Sequence, residues 1–164
     1  MSDVILISGS AKPRYERIAY RECPRFIRDA YGPRRDLFVR LEPVEWLWNG
    51  YRLALYPGAI SDLTSVPWFI PRWLASRSSR NNHKDWGSEA HDQGHLGVAR
   101  FPDIKSRMSQ AALFDRLMLD LWLFNTDREI YPRIKYAKTR LASPVLFNPD
   151  YSNLCPEWMT IERV

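Results

Sequence analysis

Apolar and polar positions alternate most cleanly between residues 44 and 56. Val44-Glu45-Trp46-Leu47-Trp48 and Tyr51-Arg52-Leu53-Ala54-Leu55-Tyr56 flank the dipeptide Asn49-Gly50. Both turn residues accept the positive φ of a two-residue hairpin turn, so the pattern predicts a β-hairpin. In that register Trp48 faces Tyr51, Trp46 faces Leu53 and Val44 faces Leu55, all on one face, with Glu45 and Arg52 on the other. Residues 37–41 supply a third strand. Residues 57–68 form a loop rich in turn formers, and 77–84 an exposed polar connector. A short helix runs from Asp85 to about Gly94. A longer one, capped by Ser106, runs to about Phe124 with Met108, Ala111, Asp115, Met118 and Trp122 on one face. A third opens near Pro132 and continues to about Leu141. The expected fold class is α+β: a small antiparallel sheet followed by a packed helical half.

Composition bears on the two ends. The chain has 164 residues, 45% hydrophobic and 13% aromatic, enough to bury a core and to exclude overall disorder. Twelve prolines break periodicity near the termini. Residues 1–36, with Arg14, Arg17, Arg21, Arg25, Arg28, Arg34 and Arg35, read as a basic N-terminal arm, and residues 143–164 as a C-terminal arm around a single domain at 37–142. No apolar run is long enough for a transmembrane helix, and no secretory signal is visible. Cys23 and Cys155 do not make a disulfide scaffold. The net charge of +5 is weakly attractive to anionic partners, but no nucleic-acid motif accompanies it.

Chemistry concentrates in the helical half. Asp115 sits within an apolar stripe, where an ionised carboxylate needs a partner. That partner is either a basic residue such as Arg116 or a histidine of the preceding helix. His91 and His95, four apart, share a helix face in the manner of a zinc protease, although Asp92 replaces the longer glutamate and Gly94 weakens the helix. His95 is then either a hydrogen-bonded structural residue or a ligand, and His83 is solvated. If the helices at 85–94 and 106–124 pack antiparallel, His91 meets Asp115 while Asp92 turns by about 100° toward Asp62. Asp62 and Asp92, with His95, are the candidate ligands for a divalent cation: calcium, magnesium or zinc. His91 is the candidate general base, with Asp115 fixing its tautomer. Ser65 is an alternative nucleophile, without a nucleophile-elbow pattern around it. Asp62 and Ser65 serve equally well as turn caps.

The order of the strand at 37–41, the aromatic hairpin, Ser61-Asp62-Leu63-Thr64-Ser65-Val66-Pro67, Ala90-His91-Asp92 and Ala112-Leu113-Phe114-Asp115-Arg116-Leu117-Met118 resembles a domain-of-unknown-function family of tailed phages and prophages. The resemblance spans roughly residues 37–142 and departs at His95, where the family usually carries tyrosine. It implies a phage origin and no particular reaction. The His91, Asp92 and Asp115 set also resembles the secreted phospholipase A2 arrangement. There such residues activate water, bind calcium and support the histidine; the flanking cysteines and glycine-rich calcium loop are missing here. These resemblances lead to three expectations. The first is a virion component of the tail or head–tail region, assembled in the host cytoplasm and docking through its arms on other phage proteins or copies of itself. The second is a metal-assisted hydrolase cutting ester or amide bonds of the host envelope. The third is a small inhibitor of a host or defence protein.

Overall fold

The computed structural model describes residues 4–10, 13–63, 84–124 and 130–164. Among these residues seven strands and four α-helices follow in the order β1 (Val4–Gly9), β2 (Tyr15–Ile18), α1 (Arg25–Tyr31), β3 (Leu37–Arg40), β4 (Val44–Trp48), β5 (Tyr51–Leu55), β6 (Ile60–Ser61), α2 (Lys84–Leu96), α3 (Arg107–Phe124), α4 (Ile130–Leu146) and β7 (Met159–Arg163). The class is α+β, with the strands largely preceding the helices. Ser65 and the rest of 64–83, including His83, lie outside the described residues.

The β4–β5 hairpin has the expected register, Val44↔Leu55, Trp46↔Leu53 and Trp48↔Tyr51. Asn49 and Gly50 adopt φ of 48° and 74°, as a turn matched to the twist of the flanking strands requires. All six facing side chains are buried, while Arg52 and Glu45 pair on the outer face. Strand β3 forms as expected but joins a different sheet. The hairpin sheet has the order β1-β4-β5-β7, and β3 lies between β2 and β6 in a second, three-stranded sheet.

The terminal segments are not free arms. Strand β1 pairs with β4 from Val4↔Trp48 to Gly9↔Val44, with a bulge between Leu6 and Ser8. Strand β7 pairs with β5 from Tyr51↔Arg163 to Leu55↔Met159. Their backbones saturate both sides of a hairpin that would otherwise expose unpaired groups on each edge. Strand β2 and helix α1 likewise consume the basic N-terminal segment, with Ile27 fully buried. Residues 147–158 fold against the end of α2: Asn153 Nδ2 donates to the Leu96 carbonyl at 3.1 Å, and the Cys155 N–H donates to the Val98 carbonyl at 3.0 Å.

An aromatic core joins sheet to helices. Trp46 stacks on Trp86 at 6.0 Å, and Phe101 meets Trp48, Tyr51 and Phe114 at 4.9–5.8 Å. Helix α3 is buried on several sides along its second half, as befits a helix packed between α2 and α4. The second sheet grips α2 through a buried ion pair. Arg40 of β3 forks onto Glu89, and Tyr15 of β2 donates to the same carboxylate at 2.6 Å.

Candidate active site

Helix α2 runs through Gly94 and ends at Leu96, two residues beyond expectation. Gly97, at φ 78°, closes it, with its N–H on the Gly94 carbonyl and that of Val98 on the Gln93 carbonyl, a glycine-dependent C-terminal cap. Gly94 does not loosen the helix. A Cβ there would lie 2.5 Å from the Phe114 ring, and one at Gly87 would lie 2.6 Å from the Met118 carbonyl oxygen. The two glycines, seven residues apart on one face, let α3 approach closely, and that approach brings Asp115 to the histidines.

His91 Nε2 lies 2.8 Å from Asp115 Oδ1, the expected pair. His95 Nε2 lies 3.1 Å from the same His91 nitrogen. His91, His95 and Asp115 each offer one ligand atom, all within 4.8 Å of one another. Asp115 is fully buried and also has the arginine partner of the alternative reading, but from α4 and not from Arg116. Arg140 Nη1 donates to Oδ2 at 3.0 Å, and Ser143 Oγ donates to Oδ1 at 2.8 Å. Arg116 is instead engaged by Asp120 at 3.0 Å.

Burial works against the Asp115 charge, but the His91, Arg140 and Ser143 bonds outweigh it and hold the carboxyl below its ordinary range. Burial, reinforced by the neighbouring His91, holds His95 well below the usual imidazole value. Its ring is therefore neutral near pH 7 and keeps a lone pair. His91 Nδ1 is buried and meets no hydrogen-bond partner among the described residues, whereas Nε2 faces both Asp115 and His95.

Asp62 and Asp92 belong to an adjoining network. Ser61 Oγ donates to Asp92 Oδ2 at 2.5 Å and accepts the Leu63 N–H at 2.9 Å. Arg35 Nη1 donates to Asp62 Oδ2 at 2.8 Å. Gln93 fixes strand β6 to α2 by donating to the Ile60 carbonyl at 2.9 Å, which keeps this turn beside Asp92. Leu63 follows at φ 56°, in the left-handed region that β-carbon sterics disfavour. Burial first, and the Asp62 charge second, push Asp92 well above the ordinary carboxylate range. Tyr31, from the end of α1, is raised in turn by burial and by the charges of Asp92 and Asp62.

Members of both groups line one cavity of about 760 Å³ between α1, α2 and α4, with Asp115 buried behind the histidines, a volume typical of a small-molecule site. Its lining combines Tyr31, Arg35, Asp62, His91, Asp92 and His95 with the apolar Leu96, Ala142 and Leu146. Of the expected residues, the described ones, Asp62, His91, Asp92, His95 and Asp115, lie close together but sort differently, and Ser65 is outside the described residues. The cation-ready set is His91, His95 and Asp115, whereas Asp62 and Asp92 are engaged by Arg35 and Ser61. Sequence reasoning missed Tyr31, Arg35, Ser61, Arg140 and Ser143. Of these, Ser61 is next to Asp62 in the sequence, and Arg35 was read only as part of the basic arm. Among the described residues no helix is long and apolar enough to cross a membrane. No family model matches the chain, and no curated protein or solved structure matches it either.

Proposed function

We propose that the chain is a metal-assisted hydrolase of ester or amide bonds, with His91 Nε2, His95 Nε2 and the Asp115 carboxylate as ligands of one divalent transition ion. The observation that carries this reading is the convergence of three donor atoms at hydrogen-bond separations that hydrogen bonds alone serve poorly. A proton on His91 Nε2 satisfies Asp115 at 2.8 Å but leaves His95 Nε2 facing an N–H already committed. Without that proton, lone pairs face one another. A cation removes the conflict, since a tetrahedral ion about 2.0–2.1 Å from each ligand separates them by about 3.3 Å. Two imidazoles and one carboxylate suit zinc and leave a position open. Calcium and magnesium favour sets of six or more oxygens.

An ion so held supplies an acidified water and polarises a carbonyl. Around it, the network of Asp92, Asp62 and Tyr31 holds a proton on the cavity wall, available to a leaving group. Leu96, Ala142 and Leu146 add an apolar surface for the rest of the substrate. For a chain of phage origin, host-envelope components are the substrates to test first. A docking role was expected of terminal segments that are committed to the hairpin sheet, so the cavity carries the functional reading further than they do.

Titration of metal-stripped protein with zinc, followed calorimetrically, tests the site. One equivalent is expected to bind, and His91→Ala, His95→Ala and Asp115→Ala are each expected to weaken binding at least about 100-fold. Stoichiometric zinc should also raise the melting temperature and EDTA reverse it. No binding by the wild type, or binding indifferent to all three substitutions, overturns the proposal.

A further inference from the structure

We infer that helix α4 is part of the metal site, with Arg140 as a positioning residue that holds Asp115 as a one-oxygen ligand. This rests on the metal reading above and concerns what sets its affinity and coordination number. The Asp115 side chain turns about a terminal torsion that is intrinsically broad and two-fold, so burial alone does not decide which oxygen faces the histidines. Helix α4 decides it. Arg140 engages Oδ2 at 3.0 Å, and Ser143 engages Oδ1 at 2.8 Å. Oδ1 is then left with a lone pair toward His91, 2.8 Å away, since a carboxylate oxygen has two to give. Oδ2 is tied to a guanidinium and cannot swing in as a second ligand. The carboxylate has no solvent exposure and the Arg140 side chain only 33%, so neither bond competes freely with water.

Arg140 exerts two opposed effects on a cation. Its positive charge repels the ion, and its hold on Oδ2 presents Oδ1 in one orientation. Groups that orient a ligand from behind typically change metal affinity about 10–100-fold. The sign of a single substitution separates the two effects. If orientation dominates, Arg140→Met loses affinity; if charge dominates, it gains affinity. Holding one oxygen back also keeps the coordination number low, which preserves an open position for water.

The test uses the full chain, stripped of metal and titrated with zinc, for the wild type and for Arg140→Met, Arg140→Lys and Ser143→Ala. Expected are a 10–100-fold weaker zinc affinity for Arg140→Met, partial rescue by Arg140→Lys, and a several-fold loss for Ser143→Ala. Cobalt-loaded protein adds a readout that mere stability does not move. The wild type should show the intense visible absorption of four-coordinate cobalt, and Arg140→Met the weaker bands of a higher-coordinate ion once both oxygens can bind. Circular dichroism in EDTA checks the fold, and Ser143→Ala carries the test should Arg140→Met not fold. Unchanged or tighter zinc binding in Arg140→Met, or in Ser143→Ala when it stands in, with unchanged cobalt bands, overturns the inference while leaving the metal site intact. A wild type that binds no zinc removes both.

Discussion

Replacing Gly94 by alanine tests the link between helix packing and the site. Intrinsic propensity favours alanine in a helix interior by about 1 kcal/mol, so judged locally the variant should be more stable. The tertiary contact opposes this. The new methyl would sit 2.5–2.6 Å from three atoms at the base of the Phe114 ring, where ordinary contact begins near 3.4 Å. That ring is fully buried and packed against Phe101 at 4.9 Å and Phe147 at 6.2 Å, so it has no free direction in which to turn. Overpacking a well-filled core costs about 1–3 kcal/mol, and the rigid neighbour puts this site at the upper end. The net expectation is a loss of about 2 kcal/mol. For a domain of this size that corresponds to roughly 4–8 °C in melting temperature, with the same direction in urea. Because Asp115 directly follows Phe114, moving α3 outward also separates the carboxylate from the imidazoles, so zinc affinity should fall in parallel. Gly87→Ala, which meets a backbone oxygen of α3, should behave likewise. A Gly94→Ala protein that melts at or above the wild type refutes the close-approach account.

Two further outcomes are expected. Glu89→Gln strands the Arg40 guanidinium, whose side chain is 1% exposed, and should cost about 3–5 kcal/mol by urea denaturation. The paired change Arg40→Met with Glu89→Leu should recover most of that loss, and a mild effect of Glu89→Gln alone would discount the ion pair. Asp92→Asn tests the raised Asp92 carboxyl. A native pKa above the unfolded value near 3.9 means that the folded state holds the proton longer. The wild type therefore loses stability as pH rises from about 4 toward that native value, and the asparagine, unable to ionise, does not. In EDTA, the melting temperature of Asp92→Asn relative to wild type should climb between pH 4 and pH 8; a flat difference contradicts the assignment.

Legibility in the sequence followed locality. The hairpin was readable because Asn49-Gly50 and the flanking alternation act within a dozen residues. The His91–Asp115 pair was readable because helical spacing and antiparallel packing of successive helices are local rules too. Strand β3 was recognised, but its sheet was not, since pairing with Tyr15–Ile18 and Ile60–Ser61 leaves no mark on residues 37–40 themselves. Val4–Gly9 and Met159–Arg163 are short, and proline- and arginine-rich surroundings dominate their windows, so tertiary pairing overrode the reading of arms. Gly94 was misjudged because propensity describes an isolated helix, while its role is set by a ring on another one. Arg140 and Ser143 were invisible for the same reason: nothing in 130–146 says that this helix closes over Asp115.

The order of the hairpin sheet has a consequence for biosynthesis. Beyond β1 and β4, strand β5 is covered by β7, and β7 follows it by about 100 residues in synthesis order. Until then β5 presents bare amides and carbonyls beside a tryptophan-rich face, an open template for strands of other nascent chains. Production of this protein should therefore be sensitive to translation pauses and chaperone supply, and removing residues 159–163 should raise the fraction recovered as aggregate.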